Sequence, residues 1–214
     1  MDRDVEKVID LFDKPRVLGL IGDRNTGKSM VLAHLIETLD SVGAKFSLYS
    51  YGLPEEFGEG KNHTRIYSIE ELETIHDSVI ILDEAAQLLD FDSRQKKQQI
   101  EEFLRLINHN NNFLIICLLP ENAKKFISNK INTFLFKRVT IGDCVNGSFV
   151  KRVITSYSGN EKGSFVLSLS QDKALIYNGE HYSKLNIPYY ENYDVKKGNR
   201  PIVEIPNQEN EYVS

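Results

Sequence analysis

Apolar residues along this chain fall either in short unbroken runs or in longer stretches with helical spacing, and the two kinds alternate. Val17-Leu18-Gly19-Leu20-Ile21, Ser78-Val79-Ile80-Ile81-Leu82 and Phe113-Leu114-Ile115-Ile116-Cys117-Leu118 are short and nearly all apolar, as expected of strands covered on both faces in a parallel sheet. Lys45 to Tyr51 alternates around Phe46, Leu48 and Tyr49, and shorter strands are expected at Thr64 to Tyr67 and Thr133 to Phe136. Val5, Val8, Ile9, Leu11 and Phe12 recur at helical spacing and stop before Lys14-Pro15. A helix from near Lys28 through Leu35, Ile36 and Leu39 ends at Gly43, a residue suited to the left-handed stop of a helix. Ser68-Ile69-Glu70-Glu71 has the spacing of a capping box and opens a helix ending near His76. Ala85 to Leu89 reads as a short helix, Arg94 to Asn108 as a long one with Ile100, Phe103, Leu104 and Ile107 on one face, and Glu121 to Lys130 as a further helix. Gly52 to Asn62, with Pro54 and several glycines, reads as an irregular surface excursion. This alternation predicts an α/β fold with a doubly wound, mainly parallel sheet.

The segment joining the first strand to its helix carries the most specific chemistry. Gly22-Asp23-Arg24-Asn25-Thr26-Gly27-Lys28-Ser29, followed by Met30, matches G-x-x-x-x-G-K-[ST] in the strand-then-helix setting that the pattern requires. Gly22 and Gly27 allow backbone conformations that a Cβ would block, so successive N–H groups can turn inward around a phosphate. The positive end of the following helix adds to that nest. Lys28 can reach the β- and γ-phosphates and Ser29 can offer a hydroxyl to Mg²⁺. Residues 22–30 are therefore the expected ATP-binding segment of a P-loop NTPase.

The second landmark is the pair Asp83-Glu84 after Ser78 to Leu82. Two carboxylates arrive together at the carboxyl end of a buried strand, where open α/β sheets place their ligands. The pattern looks like a Walker B strand, with Asp83 serving the Mg²⁺ shell alongside Ser29 and Glu84 activating the attacking water. Lys28 and Glu84 are the expected catalytic residues, which favours hydrolysis over transfer to a small molecule. The same pair on its own would also suit a helix N-terminus. His63, His76 and His181 have no acidic or cysteine partner at ligand spacing, and His34 suits packing, so no metal beyond nucleotide-held Mg²⁺ is expected.

Past Arg138 the rhythm changes. Phe149 to Ser156, Ser164 to Leu169, Lys173 to Tyr177 and Glu180 to Tyr182 are short β-type segments divided by Gly147, Gly159, Gly163 and Gly179, the pattern of antiparallel hairpins. The expected organisation is an ATPase core over 1–140, a small β-hairpin appendage of the same domain over 141–195, and a flexible tail over 196–214. A chain of 214 residues suits that plan. With 26 basic and 31 acidic residues, net −5, there is no global pull toward nucleic acid or anionic membrane, which leaves only local patches. The two cysteines, Cys117 and Cys144, lack metal-ligand spacing and fit a reducing compartment. No apolar stretch approaches the roughly 20 residues of a membrane span. Met1-Asp2-Arg3-Asp4 is too charged for a signal peptide, so a soluble, cytoplasmic protein is expected.

Beyond the two nucleotide landmarks come a long polar-faced helix, a strand, and the segments Pro120-Glu121-Asn122-Ala123-Lys124-Lys125-Phe126-Ile127 and Ile131-Asn132-Thr133-Phe134-Leu135-Phe136-Lys137-Arg138. In that order, from Arg16 to Arg138, the chain resembles the HerA/FtsK group of P-loop ATPases, to which small viral genome-packaging ATPases belong. The resemblance implies a homo-oligomeric ring that moves double-stranded DNA for a virus or mobile element, in host cytoplasm if viral. It also implies an arginine acting across subunits, for which Arg94, Arg105 and Arg138 are candidates. The group commonly closes the strand at Phe113 to Leu118 with a polar residue and precedes it with an arginine, where this chain has Cys117-Leu118-Leu119 and Asn108-His109-Asn110. Lys137-Arg138 and Lys151-Arg152 are candidate polymer contacts; ordinary surface charge at strand ends is the simpler account of either pair alone. Two other functions stay open: a nucleotide-dependent switch acting on a protein partner, and a small-molecule phosphotransferase.

Overall fold

β1 (Val17–Ile21) is buried at all five positions because both of its faces are covered. Leu18 and Leu20 enter one apolar cluster, while Val17 and Ile21 enter another on the opposite face. The computed structural model describes residues 3–13, 16–54, 57, 62–89, 94–123, 130–131, 133–139, 168–178 and 181–190, with 94–97 in backbone only. The first cluster is closed by α1 (Arg3–Leu11), through Val8 and Leu11, and by α2 (Lys28–Ser41), through Val31, Leu32, Leu35 and Ile36. The second is closed by α3 (Ile69–Leu72), α4 (Ala85–Leu88) and α5 (Arg94–His109), the last through Ile100, Phe103, Leu104 and Ile107. Gly19 leaves the space that Ile131 fills, since a Cβ there would stand 2.9 Å from Ile131 Cδ1.

The other strands are β2 (Ser47–Tyr51), β3 (His63–Arg65), β4 (Ser78–Leu82), β5 (Phe113–Leu118), β6 (Thr133–Phe136), β7 (Lys173–Tyr177) and β8 (Tyr182–Asn186). They form one sheet in the order β3-β2-β4-β5-β1-β6-β7-β8. Pairing is parallel from β3 to β6 and antiparallel from β6 through β8. Helices on both faces of a mainly parallel sheet are the expected doubly wound architecture. The β7–β8 hairpin is the expected antiparallel addition at the core's edge and prolongs its sheet: Phe134 pairs with Tyr177, and Tyr177 with Tyr182. α1 fastens to it, with Lys7 Nζ donating to the Lys184 carbonyl at 2.6 Å and Asn186 Nδ2 to Asp4 Oδ2 at 2.6 Å.

Several elements differ from expectation. α3 spans only Ile69–Leu72, and Glu71 accepts from the Tyr67 N–H at 3.0 Å instead of closing the box on Ser68. Past α3 the backbone is claimed by an asparagine network. Asn112 Nδ2 donates to the Ile75 carbonyl at 2.7 Å, Ser78 N–H to Asn112 Oδ1 at 3.1 Å, and Asp77 N–H to the Asn110 carbonyl at 3.0 Å. β3 begins one residue early, at His63, and β8 begins at Tyr182, where the expected segment was to end. A 3₁₀ turn at Pro120–Asn122 stands at the start of the expected helix Glu121 to Lys130; residues 124–129 lie outside the described residues. So do the segment from Phe149 to Ser156 and the tail over 196–214. No described helix is long and apolar enough to cross a membrane.

Candidate functional site

β1 runs directly into the phosphate loop because Gly22 tolerates what no other residue would. A Cβ at Gly22 would lie 2.6 Å from Lys137 Cβ and 3.0 Å from Thr26 Oγ1. The loop then turns through Asn25 (φ 61°) and Gly27 (φ 92°), both left-handed, a conformation that asparagine and glycine accept. Thr26 Oγ1 donates to the Asp23 carbonyl at 2.8 Å and pins the turn from inside. Neighbouring strand ends hold its start, with Gly22 N–H on the Leu118 carbonyl at 3.3 Å and Asp23 N–H on the Arg138 carbonyl at 3.0 Å. α2 opens at Lys28, so the positive end of a 14-residue helix faces the loop. The Lys28 ammonium donates to the carbonyls of Gly22 at 2.8 Å and Asp23 at 2.9 Å. Burial lowers its pKa, against the fields of Cys117, Asp83, Asp23 and Glu121.

Asp83 and Glu84 follow β4, whose partner across the sheet is β5. Leu82 pairs with Ile116, so the next residues, Asp83 and Cys117, are brought side by side. The Cys117 thiol hydrogen-bonds the Asp83 carboxylate; burial and that carboxylate push the thiol well above its usual range. Asp83 itself is raised by burial and drawn back by Lys28 and by the Glu84 N–H, which donates to Asp83 Oδ1 at 3.2 Å. Thus β1 through its loop, β4 and β5 deliver a lysine, a carboxylate and a thiol to one spot. Gly52 crowds the same place: a Cβ there would stand 2.5 Å from the Asp83 carbonyl oxygen. Glu84 is exposed and left-handed (φ 51°), with Gln87 Nε2 donating to its carboxylate.

The glycine cradle, the helix N-terminus and an adjacent lysine match the needs of a triphosphate, and the Asp83 carboxylate beside Lys28 matches those of its Mg²⁺. Ser29, half-buried at the start of α2, is the hydroxyl available to that ion. Cys117 and Gly52 were not identifiable as site residues from sequence, one reading as an apolar strand position and the other as a loop glycine.

Lys137 does not lie where a polymer contact must. It is fully buried, its ammonium donating to the carbonyls of Ser170, Gln171 and Lys173. The pair Lys137-Arg138 is therefore split, because Arg138 remains exposed and its carbonyl sits against the phosphate loop of its own chain. Arg105 is exposed and ion-paired to Glu102 at 2.6 Å on α5. Arg94 opens the same helix, and its side chain, like Lys151 and Arg152 altogether, lies outside the described residues. His34 is buried, its Nδ1 2.9 Å from the Tyr190 hydroxyl.

No protein-family model and no curated protein matches the sequence. Among solved structures, the chain is similar to the genome-packaging NTPase B204 of Sulfolobus turreted icosahedral virus 2 in complex with sulfate. The TM-score is 0.60 at 18% identity, covering 83% of this chain and 98% of that one. It is also similar to B204, the DNA-packaging ATPase of Sulfolobus turreted icosahedral virus, with a TM-score of 0.57 at 18% identity over 82% of this chain and all of that one. The pCW3 conjugation coupling protein TcpA, in its monomer form with ATPγS, gives 0.57 at 15% identity over 85% of this chain and 62% of that one. The chain has the fold of these P-loop NTPases.

Proposed function

We propose that this protein is an ATP-hydrolysing motor that acts on double-stranded DNA as a homo-oligomeric ring, packaging or translocating it for a virus or mobile element in the cytoplasm. The observation that carries the reading is the convergence of the phosphate loop, Lys28 and Asp83 on one spot, in a chain with the fold of two packaging NTPases and a conjugation coupling protein. In this reading the N–H groups of residues 22–30 bind the phosphates, and Lys28 exchanges its two loop carbonyls for phosphate oxygens. Ser29 and Asp83 would hold Mg²⁺, which would supply neutralisation of the phosphate charge. Glu84 takes the proton of the water that attacks the γ-phosphorus, and ADP and phosphate leave. An arginine from a neighbouring subunit, Arg94, Arg105 or Arg138, stabilises the charge on the transferring group. DNA phosphates are met by Arg138 and by the Lys151-Arg152 pair, a few cations repeated around the ring sufficing for an acidic chain.

The test is ATPase turnover with and without double-stranded DNA, alongside a mass measurement in nucleotide. The expected result is an oligomer whose turnover rises with DNA, with DNA binding indifferent to sequence and weakening steeply with salt. Turnover by a monomer, unaffected by any DNA or RNA at low salt, would favour the protein-directed switch; a phosphorylated small molecule would favour the phosphotransferase. Replacing the arginine that acts across subunits should cost about 10³–10⁵ in turnover. Mixing that inactive variant with inactive Lys28→Ala subunits should restore part of the activity, because some interfaces then carry both intact halves.

A further inference from the structure

A lysine is among the residues least often found fully inside a protein, yet Lys137 is 0% exposed. Its side chain runs along the phosphate loop from first glycine to second. A Cβ at Gly22 would stand 2.6 Å from Lys137 Cβ, and one at Gly27 would stand 3.6 Å from its Cε and 3.7 Å from its Nζ. Three donors on the ammonium meet three carbonyls: Ser170 at 3.3 Å, Gln171 at 2.8 Å, and Lys173. The turn bearing those carbonyls touches the loop in its own right. Gln171 Nε2 donates to the Asn25 carbonyl at 3.2 Å, and the Gln171 carbonyl oxygen would lie 3.3 Å from a Cβ on Gly27. The turn is in turn fixed to the hairpin, with Ile187 N–H on the Asp172 carbonyl at 2.7 Å.

An apolar side chain of similar length would fill the same space without the desolvation of a charge. It would not satisfy three inward carbonyls, nor place a positive charge behind a loop built to hold an anion. We propose that Lys137, held by the Ser170–Lys173 turn, is a second cation of the nucleotide site: a positioning residue that touches no phosphate but fixes the curvature of the loop and raises its affinity for a triphosphate. The inference rests on the reading of residues 22–30 as a nucleotide site. It also makes the β7–β8 hairpin, through the turn, a mechanical neighbour of the nucleotide. Burial lowers the Lys137 pKa to about 8, with Asp172 opposing the shift. The other charged residues on the elements around it are Lys173 on the turn, Asp23 and Arg24 on the loop, Lys28, Glu37 and Asp40 on α2, and Arg138 next in the chain. The ammonium therefore titrates in an accessible range, and affinity should fall as pH rises through about 8, as the charge behind the loop is lost.

Binding of ATPγS to the full chain, with Mg²⁺, is to be measured from pH 7 to 9 for the parent and for Lys137→Met, Lys137→Arg and Gln171→Ala. Lys137→Met should weaken binding tenfold or more, and Gln171→Ala severalfold, with turnover at saturating ATP within about twofold for Gln171→Ala. The parent's affinity should decline across that pH range, and the decline should be reduced in Lys137→Arg, whose charge does not titrate there; any contribution from Lys28 is common to both. If Lys137→Met does not fold, the other two variants decide. A parent that binds ATPγS, with Gln171→Ala binding equally well and with superimposable pH profiles for parent and Lys137→Arg, overturns the proposal while leaving the nucleotide site intact. A parent that binds no ATPγS overturns the nucleotide reading itself.

Discussion

The two ends of the sheet use the same backbone conformation for opposite purposes. At the amino end, Asp77 (φ 50°) and Asn111 (φ 55°) are left-handed, a state that aspartate and asparagine tolerate. Their side chains bond each other, Asn111 Nδ2 to Asp77 Oδ1 at 2.7 Å, and Asn110 and Asn112 satisfy the surrounding carbonyls. At the carboxyl end the left-handed residues include Glu84, a type that does not favour the conformation, followed by a helix of only four residues. One end relaxes into hydrogen bonds; the other holds a carboxylate in a costly pose next to half-buried Asp83. Strain concentrated where the chemistry is expected is the usual signature of a working edge. The comparison implies that substitutions at the two ends should separate turnover from stability.

The largest effect is expected at the working end. Glu84→Gln keeps the shape and the Gln87 neighbour but removes the proton acceptor, so steady-state hydrolysis should fall by about 10²–10⁴ while ATPγS affinity stays near the parent's. Unchanged turnover in that variant would move the water-activating role to another acid. At the quiet end, Asn112→Ala removes the acceptor of the Ser78 N–H and leaves the Ile75 carbonyl with Asn110 Nδ2 alone, at 3.3 Å. Denaturant unfolding should show a loss of about 1–3 kcal/mol, with turnover of the folded fraction unchanged. Smaller again, and opposite in sign, Glu84→Asn should raise stability by about 1 kcal/mol as left-handed strain is relieved, though hydrolysis is lost. A melting temperature that fell would show that the pose of Glu84 is not strained.

The smallest expected effect is a pH slope. Lys137 has a pKa near 8 in the folded chain, against 10.5 as its ordinary value. Between those values the unfolded chain binds more protons, so stability from this group rises with pH across that window and is flat below it. Lys137→Arg should reduce that rise in denaturation midpoints between pH 8 and 10. Together with the affinity decline proposed above, the parent would bind nucleotide less well in the same range in which its fold gains stability.

What could be read from the sequence was local. Gly22 to Ser29 and Asp83-Glu84 are contiguous, and their spacing states their chemistry before any folding is considered. The unbroken apolar runs of β1, β4 and β5 likewise announce strands buried on both faces. Lys137 was misleading because a basic pair after a strand ordinarily reaches solvent; its burial depends on three backbone carbonyls more than thirty residues later, and carbonyls leave no mark on a sequence. Cys117 reads as one more apolar residue until the β4–β5 register sets it against Asp83. The run Asn108-His109-Asn110-Asn111-Asn112 stood out only as the place where a family arginine was missing. In the fold its asparagines are the seam between the amino ends of β4 and β5, which also explains why α3 stops short of His76.

The position of β1 in the sheet has a consequence for the order in which the molecule can form. β1 is made early in the chain, but its partners are β5 and β6, with Val17 opposite Leu114 and Leu18 opposite Thr133. The loop it carries is finished only when Gln171 and Lys173 close around Lys137. During synthesis the phosphate loop must therefore wait, without its flanking strands, until most of the chain has left the ribosome, and such long-range closure is slow. A nascent chain arrested before Lys173 should expose the apolar edges of β1 to chaperones and should not be retained on an ATP resin, whereas release of the full chain should produce retention in a single late step.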